Sequence, residues 1–103
     1  EDNTIEIINT QDFTGKSKNK FFRLKARVIG ENGRARKMLE QLTNTEISIY
    51  GKTIEIIGKL EELSLAKRAI EKLLQGSSHG NTYKFIEAQK RYRKRLFPAY
   101  GKL

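Results

Sequence analysis

The chain predicts an α+β fold, a three-stranded antiparallel sheet covered on one face by helices, and three observations lead there. A hairpin of alternating isoleucines over residues 46–57 has a single apolar face that must be covered. Two segments with an apolar helical stripe, residues 34–42 and 61–75, are available to cover it. A further alternating run, Thr4-Ile5-Glu6-Ile7-Ile8-Asn9, supplies a third strand.

In order, that first strand gives way at Thr10 to a polar loop reaching Lys18, with Gly15 and Ser17 in it and room for one helical turn at Asp12-Phe13. From Asn19 to Val28, Phe21, Phe22, Leu24, Ala26 and Val28 are interleaved with Lys20, Arg23, Lys25 and Arg27. Spacing alone fits helix or strand there; the straight-chain Lys, Arg and Leu and the glycine stop at position 30 favour helix. After the turn Gly30-Glu31-Asn32-Gly33, the residues Ala35, Met38, Leu39 and Leu42 fall at i, i+3, i+4 and i+7. They predict a helix over 34–42, ended by Thr43-Asn44-Thr45.

The hairpin follows. Gly51-Lys52 suits a two-residue type II′ turn, which sets Tyr50 opposite Thr53, Ile49 opposite Ile54, Ser48 opposite Glu55 and Ile47 opposite Ile56. All four isoleucines then share one face. Leu63, Ala66, Ala69, Ile70, Leu73 and Leu74 stripe the next helix, Glu61, Glu62 and Lys72 suit its dipole, and Gly76 is its C-cap. Ser77-Ser78-His79-Gly80 makes a short joint that exposes His79, and Asn81 caps a last helix that runs from Thr82 until Pro98 closes it. On that helix Phe85, Ala88 or Gln89, Tyr92 and Leu96 trace the apolar line, while Lys90, Arg91, Arg93, Lys94 and Arg95 crowd the other sides. The expected division is a body over 1–76, a joint over 77–81 and a basic helix and tail over 82–103.

At 103 residues the chain fits one domain, in which roughly 60 to 70% of the unfolded surface is buried. The absence of cysteine excludes disulfides and thiolate metal sites and is compatible with a reducing cytosol. A lone histidine cannot build a histidine metal site, and no cofactor is implied. No apolar run approaches the roughly 18 residues of a membrane span and no signal-peptide pattern is present, so a cytoplasmic location is expected. The chain starts at Glu1 rather than Met, as a fragment of a longer protein would.

The formal charge is +9, and its distribution is uneven. Residues 14–37 hold nine basic side chains against one acid, residues 81–103 hold seven against one, and the segment between 38 and 76 is nearly neutral. A single basic block is ordinarily a solvated face; two, one of them on the glycine turn, favour a polyanion partner. Two glycines three apart also leave a backbone without side-chain bulk at its corners, so that a phosphodiester can approach main-chain N–H groups and the start of a helix. No nucleophile and base stand together in the sequence, and Glu61 and Glu62 are adjacent rather than facing, so no enzyme is expected.

Residues 28–49, an apolar-Gly-x-x-Gly turn followed by a helix, a threonine and an alternating strand, resemble the K-homology (KH) signature, and the resemblance extends from about residue 4 to 76. It implies the type I KH fold, β-α-α-β-β-α, with three helices on one face of the sheet; the C-terminal helix is extra. Ser48 to Thr53, Ile56-Ile57-Gly58 and the run from Gly76 to Phe85 narrow it. They look like the second module of archaeal ribosome-assembly KH proteins, relatives of the eukaryotic partner of the Nob endonuclease.

By that resemblance Gly30, Glu31, Asn32 and Gly33 clamp the backbone of single-stranded RNA, from the 3′ region of small-subunit ribosomal RNA. Ile29 forms part of the apolar floor. Ile47, Ser48 and Ile49 form the opposite wall, which reads Watson–Crick edges with main-chain groups. Arg27, Arg34 and Lys37 add charge near the phosphates, and Arg91, Arg93, Lys94 and Arg95 offer a second contact to RNA or to an endonuclease or assembly-factor partner. Two residues depart from the pattern. Glu31 puts an acid in the loop, which repels a phosphate unless it faces away. Arg36 stands where an aliphatic groove residue is usual, leaving open a stacked base, a phosphate contact or an altered groove. A second reading is therefore a degenerate KH module that serves as a protein-interaction scaffold.

Overall fold

A computed structural model of the chain describes residues 2–96. Its elements are β1 (Thr4–Asn9), α1 (Gln11–Thr14), α2 (Lys18–Ile29), α3 (Arg34–Thr43), β2 (Glu46–Tyr50), β3 (Thr53–Gly58), α4 (Leu60–Leu74) and α5 (His79–Leu96), with a 3₁₀ turn (Glu31–Gly33) between α2 and α3. Apart from the single turn of α1, the order is that of the type I KH fold with a C-terminal helix added.

The sheet is antiparallel in the order β1-β3-β2. The hairpin has the register its turn dictates, Tyr50 on Thr53 through Ile47 on Ile56, with Gly51 at φ 53°. Ile47, Ile54 and Ile56 are fully buried on its inner face, and Ile49 packs against them. β1 joins β3 so that Ile8 meets Ile54 and Glu6 meets Ile56. Its inward face is therefore the Glu6 and Ile8 face. Ile5 and Ile7 lie on the uncovered face of the sheet, 54% and 57% exposed.

α4 lies across β1 and β3, α3 meets β2, and α2 and α5 pack against α3 and α4. The whole predicted stripe of α4 is buried, together with Leu65. Its C-terminus is a Schellman turn. Ser77 N–H donates to the Lys72 carbonyl at 2.9 Å and Gly76 N–H to the Leu73 carbonyl at 3.1 Å, with Gly76 at φ 110°. α2 is helical, turning Leu24 and Val28 inward and leaving Phe22 exposed. On α3 the core contacts are Ala35, Leu39, Thr43 and the half-buried Leu42; Met38 is 40% exposed, at the margin of the stripe.

α5 differs from expectation. It begins at His79, and Ser78 rather than Asn81 caps it: the Ser78 hydroxyl accepts from Asn81 N–H at 3.0 Å and its carbonyl from Thr82 N–H at 3.0 Å. Its docked line is Thr82 and Ile86, both fully buried, flanked by Tyr83 and Phe85. Arg68 and Lys72 of α4 lie over the Phe85 ring at 5.0 and 4.6 Å from its centroid. Ala88, Tyr92 and Leu96 are exposed, because the last turns carry the helix past the body it rests on. The expected stop at Pro98 lies outside the described residues.

Glu6, an acid on the inward face of β1, is answered by Lys67 of α4 at 2.9 Å. That hydrogen bond holds the lysine above its ordinary value of 10.5, and burial likewise raises the phenol of Tyr83 above 10.0. The Lys67 contact stabilises the fold while the lysine is charged and is lost as the pH climbs through its raised value, whereas the buried Tyr83 phenol is neutral at pH 7 and opposes folding only once it must ionise, so denaturation midpoints should fall above about pH 10. Removing the α5 anchor by Ile86→Ala should cost about 3 kcal/mol in urea titrations, and Leu96→Ala should cost less than about 0.5 kcal/mol.

Candidate nucleic-acid interface

The corner between α2 and α3 is set by main-chain geometry. α2 ends at Gly30 (φ 75°, ψ 173°), whose N–H donates to the Ala26 carbonyl at 2.7 Å. The 3₁₀ turn then closes with Gly33 N–H on the Gly30 carbonyl at 3.2 Å. Asn32 at φ 56° and Gly33 at φ 75° both take left-handed conformations, which asparagine and glycine tolerate. Gly30 is also needed for space: a β-carbon there would come within 2.6 Å of the Ala35 β-carbon and 2.7 Å of the Ala35 backbone nitrogen.

α3 consequently starts with no side-chain cap, since Gly33 has none to offer. The Arg34 N–H already donates to the Glu31 carbonyl, and the positive end of the helix dipole faces the turn. Arg34 and Lys37, exposed and three residues apart, form no ion pair or side-chain hydrogen bond among the described residues. Glu31 and Asn32 are exposed at the tip, and Ile29 is half-buried beside the fully buried Val28. The arrangement suits an anion, with a single acid, Glu31, at its lip.

β2, which α3 meets, is an edge strand. Ile47 and Ile49 send their side chains into the core, and Ser48, opposite Glu55, faces the uncovered side of the sheet. What this wall can offer a ligand is therefore main chain. At Ile47 those groups already have partners: its N–H donates to the Glu40 carboxylate at 2.8 Å, and its carbonyl accepts from the Arg36 guanidinium at 3.0 Å. Arg36 and Glu40 meet each other at 3.5 Å. In the structure Arg36 thus spends its guanidinium on the β2 edge and on Glu40. Glu40 was not foreseen from the sequence, although its i, i+4 spacing from Arg36 was the signal for the pair.

Arg27, expected at the RNA backbone, is turned the other way. Its guanidinium donates to the carbonyls of Leu73, at 3.3 Å, and Ser77, and so satisfies the carbonyl end of α4. His79, expected to be an exposed loop residue, is half-buried and hydrogen-bonds the Arg27 carbonyl at 2.7 Å. Because a carbonyl only accepts, the Nε2 of His79 carries the proton. These contacts tie the last turn of α2, just ahead of the glycine turn, to the α4–α5 joint. On α5, Arg91, Lys94 and Arg95 are exposed, and Arg93 pairs with Glu61 at 3.6 Å.

The family model for the second KH domain of PNO1, described as the eukaryotic-type KH domain (KH-domain type I), matches residues 4–91. The chain is 44% identical over 91 residues to the KH domain-containing protein MJ0443 of Methanocaldococcus jannaschii, covering 88% of this chain and 40% of that one. It superposes on the crystal structure of the protein APE0754 of Aeropyrum pernix, of unknown function, with a TM-score of 0.88 and 32% identity, over 100% of this chain and 56% of that one. The third likeness is to the Pyrococcus horikoshii complex of a/eIF2alpha, aDim2p and rRNA, with a TM-score of 0.79 and 40% identity, over 88% of this chain and 49% of that one. The chain thus spans about half the length of the relatives it matches, or less.

The two glycines should respond differently to alanine. In urea titrations Gly33→Ala, with open space around it, should cost about 1 kcal/mol for its backbone conformation alone. Gly30→Ala adds the collision with Ala35 and should cost at least about 3 kcal/mol.

Proposed function

Because the chain belongs to the type I KH family, in the branch of the second KH domain of PNO1, we propose that it binds single-stranded RNA, the 3′ region of small-subunit ribosomal RNA, during ribosome assembly and pre-rRNA maturation. One observation carries this reading: an uncapped helix start behind a G-x-x-G turn, with Arg34 and Lys37 free beside it. Phosphates accept hydrogen bonds from the loop and helix N–H groups, the two cations hold the strand in register, and Ile29 lies under the bases. The rRNA in the Pyrococcus horikoshii complex and the pre-rRNA-processing name of the Aspergillus fumigatus relative support the choice of RNA. In this reading the body over 1–76 carries the clamp, and the helix beyond the 77–81 joint adds Arg91, Lys94 and Arg95 as a second contact. Cutting of the RNA belongs to a partner endonuclease, and the chain itself is no enzyme.

A second reading, the protein-interaction scaffold, is favoured by the engaged main chain of Ile47 and by the bare isoleucines of β1. The two separate on RNA. At near-physiological salt the 3′-terminal small-subunit strand should bind more tightly than a scrambled strand, and Glu31→Asp with Asn32→Asp should remove the difference. Capture of an assembly factor that survives both substitutions, with no RNA binding at any point, favours the scaffold. Replacing Arg91, Lys94 and Arg95 by Ala should weaken RNA binding and lower the salt slope by up to about 2, at roughly 0.7 for each phosphate that is no longer neutralised. Point substitution is the clean probe here, because truncation before Thr82 would take two fully buried residues out of the core.

A further inference from the structure

In an antiparallel hairpin, residues alternate between pairs that exchange hydrogen bonds and pairs that do not. With Tyr50 and Thr53 flanking the two-residue turn, the bonded pairs are Tyr50 with Thr53, Ser48 with Glu55 and Glu46 with Ile57. Ile47 and Ile49 therefore turn their N–H and carbonyl groups away from β3, to the free edge that α3 meets at Ile47. Two main-chain positions, Ile47 and Ile49, face that edge. The one at Ile49 has no side-chain partner among the described residues, whereas the one at Ile47 is filled on both of its groups.

What fills it has a definite chemical form. Arg36 presents a donor nitrogen to the carbonyl and Glu40 an acceptor oxygen to the N–H, held side by side by their own contact at 3.5 Å. An exocyclic amine beside an unprotonated ring nitrogen, as on the Watson–Crick edge of adenine or cytosine, offers the same donor and acceptor in the same order. Guanine offers only the reverse order, and uracil, with a ring N–H between two carbonyls, offers both.

We propose that Arg36 and Glu40 are a built-in surrogate for a nucleobase, which occupies the Ile47 position and sets the specificity of the module. The inference rests on the RNA-clamp reading and deepens it. A neutral base edge competes poorly for that position, because charge-assisted hydrogen bonds are roughly twice as strong as neutral ones and the two side chains are already held on α3. The module accordingly grips the backbone at Gly30 to Gly33, reads a base only at Ile49, and discriminates weakly among strands at the filled position. Arg36 and Glu40 act here as specificity-determining residues without touching RNA.

The test uses the full chain and the double variant Arg36→Ala with Glu40→Ala. Removing both partners leaves the net charge unchanged and no lone charge in the groove, so backbone attraction and folding are both spared. Binding is measured to four single-stranded octamers that differ only in a central base. The native chain should separate them by less than about threefold, and the variant should prefer adenine and cytosine over guanine by on the order of tenfold. Equal discrimination by the two proteins, with RNA still bound, would overturn the surrogate and leave the clamp standing. Absence of RNA binding from both would overturn the clamp and the surrogate with it. Amide exchange in the protein alone gives a second reading. The Ile47 amide should exchange at least about tenfold more slowly than that of Ile49, and Glu40→Ala should erase the gap. Equal exchange in the native chain would sink the surrogate whatever RNA does.

Discussion

The missing side chain of Gly30 is the constraint on which the interface depends. With the Ala35 backbone so close, α3 can start where it does only because nothing projects from position 30. That approach turns the chain from α2 into α3 within four residues and delivers the helix start without a capping side chain. A conventional Ser or Asp cap would add stability to the isolated helix, but it would consume the N–H groups that make the corner attractive to an anion. At this helix the missing side-chain cap and the opening to an anion are two sides of the same geometry.

Much of this was legible in the sequence, and what was legible was periodic or local. Gly51-Lys52 fixed a hairpin register because loop length and strand twist admit few alternatives. The α4 stripe emerged because a helix covering a sheet must be apolar at every third or fourth position. The glycine turn was visible because its residues are consecutive. The fates of the cations were not legible. Arg27 lies 46 residues from one of its partners and 50 from the other, so no spacing rule could join them. Arg36 reaches across to a strand 11 residues on. Basic composition announced a polyanion surface but could not tell which guanidinium faces solvent and which satisfies a carbonyl.

The docked face of α5 escapes the sequence for a related reason. The line through Phe85, Tyr92 and Leu96 is the more hydrophobic one, yet the body ends before the helix does, and only its first two turns find something to bury against. Thr82 and Ile86 win that position because Ser78 starts the helix early and the Arg27–His79 contacts fix its entry. Where a helix docks is decided by the surface that receives it, and a single helix cannot report that.

The bare face of the sheet bears on how molecules of this kind behave together. Ile5 and Ile7 offer neighbouring copies an apolar surface that a net charge of +9 keeps apart by mutual repulsion. A bound polyanion, or salt, removes that repulsion while leaving the surface untouched. Under the proposed function, colloidal behaviour and RNA occupancy are thereby coupled: the charge that would draw in the nucleic acid is the same charge that disperses the protein, and neutralising it for one purpose withdraws it from the other.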